Sequence, residues 1–157
     1  MVLREAEKAD LPVSVHTGYW GDYRDHSLEN YIPLFFKYPN LRFDVFHLGY
    51  PLVKQSLLLA KTFPNVNIDL CWTYIISQQF AYDSLCQMID FLPRNKVMGF
   101  GGDFINIERV YGHRIMMNET VSKALAAKVE DGSITLEKAK IWARAMLVEN
   151  PKAFYNV

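Results

Sequence analysis

One phrase is written twice in this chain, 25 residues apart: Tyr38-Pro39-Asn40-Leu41-Arg42-Phe43-Asp44-Val45 and Phe63-Pro64-Asn65-Val66-Asn67-Ile68-Asp69-Leu70. Looser versions occur in Asp10-Leu11-Pro12-Val13-Ser14-Val15 and in Leu92-Pro93-Arg94-Asn95-Lys96-Val97-Met98-Gly99-Phe100. Each time an amphipathic helical stretch ends at a Pro or Asn breaker and runs into a short segment rich in Val, Ile and Phe. Strands alternating with helices at this spacing specify parallel βα units, because a parallel pair needs a crossover of a dozen or more residues. The pattern predicts four strands near 12–16, 41–47, 66–71 and 96–100. Helices are expected near 27–38, 51–63 and 77–92, with a purely helical tail over 107–130 and 135–148. Pro33 implies a late start or a kink in the first of these helices. Pro51 suits the first turn of the second, and Thr135 suits the N-cap of the last. Val2 to Ala9 reads as the end of a helix with no strand feeding it, so the chain is expected to open in the middle of a unit.

The 157 residues are 50% hydrophobic and 14% aromatic, enough for a packed core, and one domain over 1–157 is expected. Seventeen basic side chains balance seventeen acidic ones, so no basic field exists to draw nucleic acid or an anionic membrane. The start, Met1-Val2-Leu3-Arg4-Glu5-Ala6-Glu7-Lys8, lacks the apolar run of a secretory signal. No window approaches the roughly 20 apolar residues of a membrane span. Two cysteines, Cys71 and Cys86, make no disulfide framework and read as buried thiols of a reducing compartment. A cytoplasmic protein is the expectation.

At the C-terminal ends of the four strands stand His16, His47, Cys71-Trp72 and Asp103. In a parallel βα fold these ends share one rim, where ligands bind. Two His and an Asp at equivalent places suit a divalent cation. Taken singly, each has a blander account: a satisfied polar residue for either histidine, a helix N-cap for Asp103. It is their recurrence in successive units that favours a site. Arg24 follows His16 on the same rim and could hold a substrate carboxylate, or could be a solvated loop charge. Tyr19, Trp20, Tyr50, Trp72 and Tyr74 could wall a pocket or simply pack. His26 and His113 read as surface or structural. Asp44 and Asp69, in matching positions inside their strands, suggest a shared structural role. No Gly-rich phosphate loop, nucleophile elbow or paired-Cys motif is present.

Val13-Ser14-Val15-His16-Thr17-Gly18, Phe43-Asp44-Val45-Phe46-His47-Leu48-Gly49-Tyr50-Pro51, Phe63 to Trp72 and Phe100-Gly101-Gly102-Asp103 together resemble the amidohydrolase superfamily, in its amidohydrolase-related and uronate-isomerase-like branch. The resemblance implies a partial (β/α) TIM barrel: about four parallel βα units plus C-terminal helices, the C-terminal half of a complete barrel. It further implies that His16, His47 and Asp103 are the fifth-, sixth- and eighth-strand residues of a divalent metal site, zinc being the first choice. Asp103 would touch the metal and move a proton, and His47 would face either metal or substrate. Arg24, Tyr50 and Trp72 are the expected substrate contacts, on a small and possibly acidic molecule.

The family's His-x-His pair is absent from this chain. A fragment of a hydrolase acting on C–N or C–O bonds, inactive alone, is therefore expected. A uronate isomerase half and a catalytically silent, self-associating remnant are the alternatives. A half-barrel leaves two sheet edges and an apolar face open. That predicts a homo-oligomer or a partner supplying the missing N-terminal half.

Overall fold

The structure, a computed structural model, describes residues 2–157. Four strands form one parallel sheet in the order β1 (Val13–His16), β2 (Phe43–Phe46), β3 (Val66–Asp69), β4 (Val97–Met98). Their register aligns Val15, Val45, Ile68 and Val97 across the sheet. Because side chains alternate along a strand, this row and the Phe43–Val66 row face the helices, where all but Val13 are buried. The opposite face carries Ser14, His16, Asp44, Asn67 and Asp69. This is the architecture of a (β/α) barrel of which four units are present.

The helices are α1 (Val2–Lys8), α2 (Ile32–Lys37), α3 (Val53–Thr62), α4 (Thr73–Ile76), α5 (Gln78–Phe91), α6 (Ile107–Glu130), α7 (Leu136–Arg144) and α8 (Asn150–Tyr155). A 3-10 turn over Leu28–Tyr31 precedes α2, which then starts with Pro33 in its first turn, so the helix does start late. Thr135 caps α7, its hydroxyl accepting from the Lys138 amide. The strands expected over 41–47 and 96–100 are shorter, at Phe43–Phe46 and Val97–Met98, and two helix boundaries also differ. The second helix starts at Val53 instead of Pro51, because a tight turn at His47–Gly49 continues through Leu52, whose N–H bonds Gly49 O at 2.7 Å. The last helix does not stop at 148: a π-turn (Ala145–Glu149) leads into α8.

The repeated phrase has a mechanical meaning at the bottom of the sheet. Asn65 donates to the carbonyls of Phe35 and Tyr38 at 3.1 and 3.0 Å, closing the end of the preceding helix. One unit on, the Lys96 ammonium donates to Phe63, Pro64 and Val66 carbonyls at 2.9, 2.6 and 2.9 Å. Burial pushes that ammonium down to about 8. The C-terminal segment also covers the outer edge of β4. The Asn150 amide donates to Arg94 and Val97 carbonyls at 2.6 and 2.7 Å, and Gly99 N–H donates to Met146 O at 2.8 Å. Of the two sheet edges expected to be open, β4 is thus partly sealed by its own chain. No described helix is long and apolar enough to cross a membrane.

Candidate metal centre

The rim is built from strained backbone. Seven described non-glycine residues have positive φ, and five of them stand here: Trp20, His47, Leu48, Trp72 and Asp103. Such conformations each cost about 1–3 kcal/mol and survive only where surrounding packing enforces them. Two glycines make the close approaches possible. A Cβ on Gly18, at φ +70, would fall 2.1 Å from Tyr50 O, and one on Gly101 would fall 2.8 Å from the Cys71 Cβ.

His16 and His47 meet at the centre. His47 is only 3% exposed and bonds Cys71 O through Nδ1 at 3.1 Å. His16 bonds Tyr19 O through Nε2 at 3.1 Å. A carbonyl only accepts, so each of those ring nitrogens carries a proton. The other two nitrogens, His47 Nε2 and His16 Nδ1, face each other at 3.1 Å, where either a shared proton or a shared metal cation would hold them together. Two nitrogen ligands of one tetrahedral ion stand about 3.3 Å apart, so the spacing fits a shared divalent cation. Burial foremost holds His47 below the usual imidazole range, which keeps its lone pair free at neutral pH.

Asp103 approaches His47 from the loop after β4. Donor atoms of His47, Cys71 and Asp103 all lie within 4.8 Å of one another, and His16 stands outside that closer group. The Trp72 indole N–H fixes the Asp103 carbonyl at 2.8 Å while its ring stacks on Phe104. His16, Tyr19, Trp20, His47, Trp72 and Asp103 line a cavity of about 300 Å³. Its floor is polar and its walls are aromatic, the usual form of a small-molecule site. Burial pushes the Cys71 thiol far above its ordinary range, so it is no solvent-facing nucleophile.

The other residues expected at the site fall at varying distances from it. Tyr50 lies in a neighbouring groove with Tyr19, Trp20, Tyr23 and Pro51, edge-on to Tyr19. Arg24 is paired with Asp22 at 2.5 Å on a 77% exposed side chain and is not among the cavity-lining residues. Tyr74 is core, its hydroxyl donating to Gly99 O at 2.7 Å. His113 is buried against Phe100, Tyr74 and Phe104, and burial holds it down at about 4. Neither of its ring nitrogens makes a well-formed hydrogen bond.

Asp44 and Asp69 lie under the rim. The Tyr155 hydroxyl from α8 donates to Asp44, whose other oxygen is buried without a partner, and Asp69 accepts from Cys71 N–H at 2.7 Å. Two residues near the centre were not foreseen. The ring of His26 packs edge-on to His16 at 5.0 Å between centroids, and nothing in its loop sequence marks it. Cys71 was visible as a strand-end residue, but burial was the simpler account of a thiol.

The amidohydrolase family profile matches residues 2–157. Protein fluG of Emericella nidulans is 24% identical over 152 residues, a stretch that covers 93% of this chain and 17% of that protein. A Lactobacillus casei protein assigned to the metal-dependent hydrolases superposes with a TM-score of 0.82 at 19% identity, over 99% of this chain and 43% of its own. A uronate isomerase from Bacillus halodurans superposes with a TM-score of 0.80 at 19% identity, over 99% of this chain and 40% of its own. The chain therefore spans less than half the length of each of these proteins.

Proposed function

The chain belongs to the amidohydrolase family, and from that premise we propose that its rim binds a divalent cation, zinc before others, for hydrolysis of a C–N or C–O bond in a small molecule. The observation that carries this reading is the pair of imidazole nitrogens facing each other at 3.1 Å, beside a carboxylate on the same cavity wall. His16, His47 and Asp103 hold the cation. When bound, it supplies Lewis acidity to the scissile group and makes a nearby water more acidic. The Asp103 carboxylate, on the cavity wall, accepts the proton of the attacking water. His47 stays neutral and is oriented by the Cys71 carbonyl. Trp72 and Trp20 exclude water from one side and offer flat faces to substrate, while Tyr50, in the adjoining groove, contacts its outlying parts.

We take hydrolysis ahead of uronate isomerisation because Arg24, the basic side chain expected to hold a sugar acid, is paired with Asp22 and stands outside the cavity. We further propose that turnover needs the open edge of β1 to be closed by further strands. The support is a sheet that ends at β1, in a fold whose neighbours are more than twice as long. Calorimetric titration with zinc tests the site. One ion per chain is expected, with affinity at least roughly tenfold weaker in His16→Ala; equal binding by the variant refutes the assignment. Assays on amide and ester substrates, with and without a supplied N-terminal barrel half, test the chemistry.

A further inference from the structure

Each of the four strands sends one metal-competent side chain to the rim: His16 from β1, His47 beyond β2, Cys71 beyond β3 and Asp103 beyond β4. We propose that Cys71 is a protein donor beside His47 and Asp103, so that this half-barrel alone can hold a divalent cation by one nitrogen, one carboxylate oxygen and one sulfur, with His16, 3.1 Å from His47, as the adjoining fourth side chain. The proposal rests on the metal reading above and deepens it.

Three observations carry it. First, the Cys71 sulfur already lies in the cluster, within 4.8 Å of donor atoms of both His47 and Asp103. Sulfur and nitrogen on one tetrahedral zinc stand about 3.5 Å apart, so roughly 1 Å of closure is needed. One side-chain torsion spans that. Second, Cys71 is held from both sides. Its N–H donates to Asp69 at 2.7 Å, and its carbonyl accepts from the His47 ring at 3.1 Å. One residue thereby orients a neighbouring ligand and presents its own. Gly101 leaves the space for this, since any Cβ there would strike Cys71 at 2.8 Å. Third, His47 is only 3% exposed, belongs to that cluster, and has its Nε2 3.1 Å from His16 Nδ1, so one buried imidazole joins the cluster to the second histidine.

Binding exchanges the sulfur-bound proton for the cation and releases that proton to solvent. A thiolate in the set makes the site borderline-soft, favouring zinc or cobalt over magnesium, calcium or manganese.

Anaerobic titration of the purified chain with cobalt(II) tests this. The expected spectrum has visible d–d bands together with a near-ultraviolet sulfur-to-cobalt charge-transfer band. The chain has only two cysteines, so variants resolve the origin of that band. Cys86→Ser should keep it; Cys71→Ser should lose it while retaining d–d bands, with cobalt bound about tenfold or more weakly. If Cys71→Ser does not fold, the wild-type band and its survival in Cys86→Ser suffice. Cobalt bound with d–d bands but no charge transfer overturns the Cys71 assignment and leaves the His16–His47 site standing. No cobalt binding at all, or binding untouched by His16→Ala, overturns both.

Discussion

The two ends of the sheet use polar side chains in opposite ways. At the bottom, Asn65, Lys96 and Asn150 each point their donors at backbone carbonyls, and nothing is left over for a ligand. At the rim, His16 and His47 spend one ring nitrogen each on a carbonyl and turn the other toward its neighbour. The bottom is consistent with itself and repeats along the chain. The rim is strained, with left-handed Trp72, His47 and Asp103, and its polar valences are unfinished. Stability is concentrated at one end and binding capacity at the other.

The largest effect should come from breaking the bottom. Lys96→Ala removes the donor shared by three carbonyls and leaves a cavity, so a loss of about 3 kcal/mol is expected in urea unfolding. Asn150→Ala, which uncaps the edge of β4, should cost about 2 kcal/mol by the same measurement. If both variants lose less than His16→Ala does, the division of labour between the two ends is wrong.

A second contrast lies between two buried titrating groups, Asp44 and His113, and pH separates them. Burial raises Asp44 to about 7, against a partial offset from the Tyr155 hydroxyl bond. The folded state thus holds that proton more tightly than the unfolded chain does. Its contribution is full below about pH 4 and is lost as pH rises through 7. Asp44→Asn should flatten that alkaline decline by on the order of 2 kcal/mol between pH 5 and 8, read from urea midpoints. Asp69, also raised by burial, leaves part of the slope in place. His113 acts at the other end of the scale. Its imidazole is held down at about 4, so its contribution is complete above the ordinary histidine range and is lost as pH falls toward 4. His113→Phe, among Phe100, Tyr74 and Phe104, should be neutral or about 1 kcal/mol stabilising, and should reduce the acid sensitivity. A strongly destabilised His113→Phe would show that the ring has a polar partner after all.

The smallest effect on stability should come from the rim. His16→Ala is expected to change unfolding free energy by less than about 1 kcal/mol, since the side chain is exposed. The same substitution should carry the loss in metal affinity.

What could be read from the sequence was what local pattern encodes. Strand positions followed from runs such as Phe43-Asp44-Val45 between breakers, the Thr135 cap from its place before an apolar-periodic run, and the late start of α2 from Pro33. The convergence of His16, His47 and Asp103 followed from strand parallelism alone. Other features depend on contacts distant in sequence. Asn150 reaches Arg94 across 56 residues, and no local pattern announces that bond or the turn into α8 that delivers it. Arg24 looked available because its partner, Asp22, is a neighbour whose geometry only the folded loop decides. His26 sits beside His16 because the Gly18 amide bonds the His26 carbonyl and folds the loop back.

The most direct test of the central claim is long-range proton–nitrogen NMR of the histidine rings, with and without zinc. Protons are expected at Nδ1 of His47 and at Nε2 of His16, with zinc shifting the His47 Nε2 and His16 Nδ1 resonances and no others in those rings by a comparable amount. Either ring found in the opposite tautomer, or both left unmoved by stoichiometric zinc, would contradict it.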